Sequence, residues 1–185
     1  KPTQFKLYEI YVDYDHSSKD DIGLHVDPII KTPEVTSGNI ILNKPLEVSG
    51  TSNGNKTSIN DGDTSTKWDS DYIKGNNAKE EAWIIADLGE GSSYIFNSMT
   101  MNYFNKVYPT ATRIEISSDK NTWFTIKELT SEHNGPTHPI VTTSFDDSYS
   151  ARYIRVVFEE LNNVAAGNGV GVNEWSVDGK FISNA

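Results

Sequence analysis

The chain holds 185 residues, 16 basic and 26 acidic, for a formal charge of −10. That length suits one domain, or one domain with an extension, and the absence of cysteine leaves neither a disulfide framework nor a thiolate metal site. The acidic balance argues against nucleic acid and anionic lipid, which want a positive face, and no run of about 18 apolar residues suggests membrane insertion.

The chain begins at Lys1 without a leader pattern, as a mature protein or an excised fragment would. Residues 1–38 read as an N-terminal extension, either an added strand or the tail of a preceding domain. Within it, Phe5-Lys-Leu-Tyr-Glu-Ile-Tyr-Val-Asp-Tyr14 alternates large apolar and polar side chains, which predicts a strand. Asp15 to Asp21 form a polar loop. Asp27-Pro28 and Thr32-Pro33 then hold the backbone extended, because the residue before proline avoids the α region.

From Asn39 short strands and turns follow one another. Ile40 to Leu42 and Leu46 to Val48 are brief strands. Ala82-Trp-Ile-Ile-Ala-Asp-Leu88 is nearly continuous apolar, which suits a strand covered on both faces. Tyr94 to Phe96 leads into Met99 to Phe104. Thr112 to Ser117 alternates cleanly, Ser118 to Asn121 is a hairpin turn, and Trp123 to Lys127 returns. Ile140 to Phe145, Arg152 to Phe158 and Val172 to Phe181 complete the set. No segment keeps a helical period over three turns, so residues 39–185 are expected to form an all-β sandwich or barrel.

The stretch Ser58-Ile-Asn-Asp-Gly-Asp-Thr-Ser-Thr-Lys-Trp68 places carboxylates on either side of a glycine. Gly permits a tight bend, so Asp61, Asp63 and the Thr66 hydroxyl can converge, and a hard cation such as Ca²⁺ relieves the repulsion of converging carboxylates. A solvated Asp-Gly turn is the alternative, since these residues are also good turn formers. The loop is not an EF-hand, whose glycine is sixth and whose glutamate is twelfth.

Ordered landmarks extend along the chain: Asn43-Lys-Pro45, Asn60 to Trp68, Trp83-Ile-Ile-Ala-Asp-Leu-Gly89, Arg113 to Trp123, Ala151-Arg-Tyr-Ile-Arg-Val-Val157 and Asn173-Glu-Trp-Ser-Val177. On these, about residues 39–182 resemble the discoidin, or coagulation factor V/VIII C-type, domains, and among them bacterial carbohydrate-binding modules of family 32. The resemblance implies an antiparallel jelly-roll β-sandwich, galactose-binding-domain-like, whose first and last strands lie together. That would bring the Asp61 loop close to Glu174. It also implies a structural Ca²⁺ held by the carboxylates of Asp61, Asp63 and Glu174, the hydroxyl and carbonyl of Thr66, and the backbone carbonyls of Ser58 and Asn173. Such an ion would fix the loop and add folding stability by linkage, without a catalytic role.

Similar modules bind glycans in a shallow site made by loops at one end of the sandwich. Galactose-binding members carry a His directly after the loop Trp, an aromatic three residues beyond it, and an Arg and an Asn in a later loop. Here Asp69 replaces the His and Tyr72 keeps the aromatic. Asn105 or Lys106 falls near the Arg position, and nothing matches the Asn. The site is therefore expected either to be reshaped for another glycan or to have lost sugar binding. The candidate carbohydrate-binding residues are Asp69, Tyr72, Asn105, Lys106, Tyr108 and Asn168. Each polar one reads equally as a solvated loop side chain, whereas large aromatics such as Tyr72 and Tyr108 are costly to expose without use.

Other motifs carry less. Gly167-Asn-Gly-Val-Gly171 lacks the helix that a dinucleotide fingerprint needs after it and reads as a flexible loop. His133 and His138 lie in a Pro- and Gly-broken loop without the spacing of H-E-x-x-H. No G-x-S-x-G elbow or Cys nucleophile is present. Trp83, Trp123 and Trp175 read as core side chains.

These features lead to a non-catalytic carbohydrate-binding module, not an enzyme by itself. It would be covalently joined to a larger glycan-processing protein that is extracellular or sits at the bacterial surface or periplasm. Its task would be to raise local substrate concentration for an attached enzyme. A protein- or matrix-adhesion domain on the same scaffold is the alternative. Membrane docking is disfavoured by the charge.

Overall fold

The structure is a computed structural model and describes residues 35–71, 81–91, 93–104, 108–130, 140–161 and 169–182. The strand expected at Phe5 to Tyr14 lies outside these. The β-sandwich occupies the compact unit Pro33–Ala185.

Its strands are β1 (Val35–Asn39), β2 (Leu46–Val48), β3 (Asn53–Gly54), β4 (Trp68–Asp69), β5 (Ala82–Asp87), β6 (Tyr94–Tyr103), β7 (Pro109–Ser117), β8 (Phe124–Leu129), β9 (Ile140–Tyr149), β10 (Tyr153–Leu161) and β11 (Gly171–Ile182). A single 3₁₀ turn, Lys56–Ile59, is the one helical element among the described residues. One sheet runs β3-β4-β11-β6-β9, with β1 also on β11; the other runs β2-β5-β10-β7-β8. All pairings are antiparallel.

The alternation of side chains builds the core between the sheets. Ile154, Val156 and Phe158 of β10 face Trp175 and Val177 of β11, Met101 and Tyr103 of β6, and Trp68 of β4 in one buried cluster. Tyr103 and Phe158 meet edge to face with centroids 6.3 Å apart. On β6 the inward set passes from Phe96 to Met99, Met101 and Tyr103. This change of parity coincides with register shifts against β9 between Phe96 and Ser98 and against β11 between Asp178 and Gly179, as a bulge requires. Strand β5 is covered on both faces as its composition predicts: Ile84 and Ala86 join the core, and Ile85 is buried on the other side.

The structure corrects the reading at Ile40 to Leu42, which form a turn and not a strand. Asn39 Oδ1 accepts from the backbone N of Ile41 and of Val177, both at 3.2 Å, and Asn43 adopts a left-handed φ of 55°. An Asx side chain capturing the backbone two residues on reverses the chain. Ile40 and Ile41 are buried by the turn dipping into the core. The strand lies just before, at Val35–Asn39, and Val35 to Asn39 pair with Ile182 to Asp178.

Candidate functional site

The 3₁₀ turn opens with Asn55, whose Oδ1 accepts from Thr57 N at 3.0 Å, and ends at Asn60. Asn60 is buried, and its Nδ2 donates to the carbonyls of Ile41 (2.5 Å) and Lys44 (3.0 Å). Anchored there, the chain bends at Gly62, with φ +83°, a conformation glycine reaches without steric cost. Asp61 Oδ1 accepts from Asp63 N at 2.8 Å, and Thr66 Oγ1 lies 3.1 Å from Asp61 Oδ2 and 3.0 Å from the Asp63 carbonyl. Asp63 Oδ1 takes the N–H and hydroxyl of Ser65 at 2.9 and 2.6 Å, which holds its carboxyl below the usual range.

The last strand closes this loop. Glu174 Oε2 accepts from Gly62 N at 3.1 Å, and Asn173 Nδ2 donates to the carbonyls of Thr64 (2.9 Å) and Thr66 (3.0 Å). Glu174 Oε1 is buried without a hydrogen-bond partner. Burial, followed by the negative charges of Asp61 and Asp63, pushes the Glu174 carboxyl up to about 7 against the Gly62 hydrogen bond.

Of the six residues expected around a metal, Asp61, Asp63 and Thr66 in the loop meet Asn173 and Glu174 of β11, while Ser58 lies in the 3₁₀ turn that feeds the loop. One observation fits a cation, the unpartnered Glu174 Oε1 buried beside the loop carboxylates. Among the described residues, however, no three acidic or histidine side chains are gathered tightly enough to hold a metal by themselves. A cation here would depend on carbonyl and hydroxyl oxygens as well as carboxylates, a mixture Ca²⁺ accepts.

The other candidate residues belong to one end of the sandwich. Gly171 at the start of β11 pairs with Asp69 at the end of β4, and its carbonyl accepts from Phe104 N at 2.8 Å just past β6. Pro109 at the start of β7 pairs with Leu161 at the end of β10. The connections 70–81, 104–108 and 161–170 therefore all leave from the same rim. Asp69 and Tyr108 stand on it, both half-buried. Tyr72, Asn105, Lys106 and Asn168 lie in these connections, outside the described residues.

Asp69 is already engaged. Lys67 Nζ lies 2.8 Å from its Oδ2, Asn53 Nδ2 donates to the same oxygen at 3.3 Å, and Lys67 Nζ also sits 4.0 Å from the Phe104 ring centroid. Lys67, Phe104 and Asn53 were not singled out by the sequence. The available signal was spacing, since Lys67 and Asp69 are two apart in extended chain and so share a face. The Gly-rich run before β11, expected to be a flexible loop, packs tightly where it is described. A Cβ on Gly169 would lie 2.3 Å from the Ser70 carbonyl oxygen, and one on Gly171 would lie 2.8 Å from Asp69 Oδ1 and 3.0 Å from Phe104 Cβ. Trp175 is fully buried as expected, whereas Trp83 and Trp123 are only partly covered, and the Arg155 guanidinium lies 3.9 Å from the Trp123 ring centroid.

The family model of the F5/8 type C domain matches residues 45–172. The chain belongs to the F5/8 type C domain family. Solved structures share the fold of this F5/8 type C domain at low identity. Chitosan-binding module 1 from a chitosanase/glucanase of Paenibacillus sp. IK-5 is 24% identical, with 76% of this chain and 98% of that one covered and a TM-score of 0.61. CpGH89CBM32-5 from Clostridium perfringens, in complex with GalNAc-β-1,3-galactose, is 22% identical over 73% of this chain and 94% of that one, with a TM-score of 0.55. The CBM32 of AlyQ, in complex with 4,5-unsaturated mannuronic acid, is 20% identical over 76% and 95%, with a TM-score of 0.54. No curated protein matches the chain. Among the described residues of the F5/8 type C domain, no helix is long and apolar enough to cross a membrane.

Proposed function

We propose that this F5/8 type C domain is a non-catalytic carbohydrate-binding module that serves a larger extracellular or surface glycan-processing protein. The observation that carries the reading is the rim, where Asp69, Phe104 and Tyr108 stand beside three connections leaving from one end of the sandwich. Carboxylate, amide and ammonium groups next to aromatic rings suit a ligand with hydroxyls on one side and apolar C–H on the other. Solved neighbours of the same fold include a chitosan-binding module in complex with chitotriose and modules bound to other sugars. Asp69, with the expected Tyr72, Asn105, Lys106, Tyr108 and Asn168, would make the contacts. Ca²⁺ at Ser58, Asp61, Asp63, Thr66, Asn173 and Glu174 is part of the same proposal. When bound, it would supply positive charge to the carboxylates and hold the loop against β11.

A glycan-array screen of the purified chain, with and without a chelator, tests the reading. The expected result is binding to one glycan class, no turnover of it, and loss of binding in Tyr72→Ala or Tyr108→Ala. An array without hits overturns the function, and two variants that bind like the parent overturn the site.

A further inference from the structure

Beside the rim, β3 holds an asparagine followed by a glycine, both exposed. Gly54 is required there: its φ is +77°, and a Cβ would lie 2.2 Å from the Lys67 carbonyl oxygen and 3.0 Å from its carbon. Every residue but glycine is excluded, so the backbone N after Asn53 is always the one least shielded by a side chain. Asn55 N bonds to the Lys67 carbonyl. Antiparallel ladders alternate bonded with non-bonded pairs, so the neighbouring Gly54–Trp68 pair is the non-bonded one. The Gly54 N–H thus points away from β4. It donates to Asn53 Oδ1 at 2.9 Å, which keeps the side-chain amide folded back over the following peptide nitrogen. The other end of that amide donates to Asp69 Oδ2 at 3.3 Å, which fixes which atom is oxygen and which is nitrogen.

We infer that Asn53–Gly54 is a site of spontaneous deamidation, a covalent modification that turns the neutral donor on Asp69 into an acid. Gly54 N gives up its proton and bonds to Asn53 Cγ while Nδ2 leaves as ammonia, closing a five-membered succinimide. Water then adds to one of the two imide carbonyls and opens the ring to aspartate or isoaspartate at position 53. One water is consumed, one ammonia is released, and nothing is oxidised or reduced. Two features favour the step, a nucleophilic nitrogen outside the ladder and a carbonyl held against it. The product puts a second carboxylate on Asp69, where one cation, Lys67, already serves it. The isoaspartate form also lengthens the backbone of β3 by one methylene and spoils its register with β4. The consequence for glycan binding rests on the function proposed above; the chemistry does not.

Peptide mapping of the folded chain held at mildly alkaline pH, beside the same chain in urea, tests the chemistry. Asn53 is expected to convert at least as fast folded as in urea and well ahead of the exposed Asn55, which precedes a lysine; Asn53→Gln should stay intact at this position. The inference is overturned if the fold slows Asn53 by an order of magnitude, or if Asn55 converts first. Binding of an array-identified glycan by Asn53→Asp is measured separately. A several-fold weakening is expected, and binding equal to the parent overturns the link to the rim while leaving the map to decide the chemistry.

Discussion

Gly62 and Glu174 stand 112 positions apart, and the Gly62 N–H donates to Glu174 Oε2 at 3.1 Å. This bond ties the acidic loop to the last strand. It satisfies one carboxylate oxygen and leaves the other, Oε1, buried and unpartnered. The tie therefore has a cost that depends on whether Glu174 is charged, and a cation would remove it.

The first prediction concerns pH. Glu174 has its carboxyl raised by burial to about 7 in the folded chain, against an ordinary 4.5. A group with a raised folded pKa binds more protons folded than unfolded, so stability falls as pH rises through that window. In chelator, the urea midpoint should be lower at pH 8 than at pH 5 by more in the parent than in Glu174→Gln. Calcium should raise the parent's midpoint more at pH 8 than at pH 5, because the ion competes with protons for the carboxylate. Equal rises in parent and Glu174→Gln would show that calcium acts elsewhere.

A second prediction tests how β4, β6 and β11 are joined at the rim. Gly171→Ala puts a methyl group 2.8 Å from Asp69 Oδ1 and 3.0 Å from Phe104 Cβ. Overpacking of this kind costs about 1–3 kcal/mol. Denaturant unfolding should show that loss, and binding of the array-identified glycan should weaken because Asp69 is displaced. A variant as stable as the parent would mean that Asp69 and Phe104 move aside from β11 there freely.

Strands were legible in the sequence wherever alternation was long, as at Thr112 to Ser117, or where apolar residues ran together, as at Ala82 to Leu88. Residues that depend on a long-range partner were not. Asn39 heads a run read as strand, but its Oδ1 accepts from Ile41 N, which reverses the chain at Ile40 to Leu42, and from Val177 N, which ties that turn to β11. Two-residue strands such as Asn53–Gly54 and Trp68–Asp69 show no period, being held by their neighbours alone. Within the acidic loop, spacing brought Asp61, Asp63 and Thr66 together. The binding of Asn173 Nδ2 to two loop carbonyls could not be read, because it is fixed by the loop's path and not by residue type.

The third prediction lies on the outer face of the second sheet, away from both sites. Glu115 is 6% exposed, and its carboxylate accepts from Arg113 Nε at 2.9 Å and Arg155 Nε at 2.6 Å. Arg113 also pairs with Glu159 and Glu81, while the Arg155 guanidinium lies 3.9 Å from the Trp123 ring centroid. Glu115→Ala strips Arg155 of its carboxylate and leaves Arg113 with Glu159 and Glu81. Breaking a fully buried pair costs about 3–5 kcal/mol; both arginines here retain some water, so a loss of about 2–3 kcal/mol is expected. Trp123→Ala removes a cation–π contact of about 0.5–1 kcal/mol together with some packing. Because both substitutions act on the same guanidinium, the double variant should lose less than the sum of the two singles. Urea unfolding of the four proteins measures this coupling. Additivity within about 0.5 kcal/mol would show that Glu115 and Trp123 hold Arg155 independently.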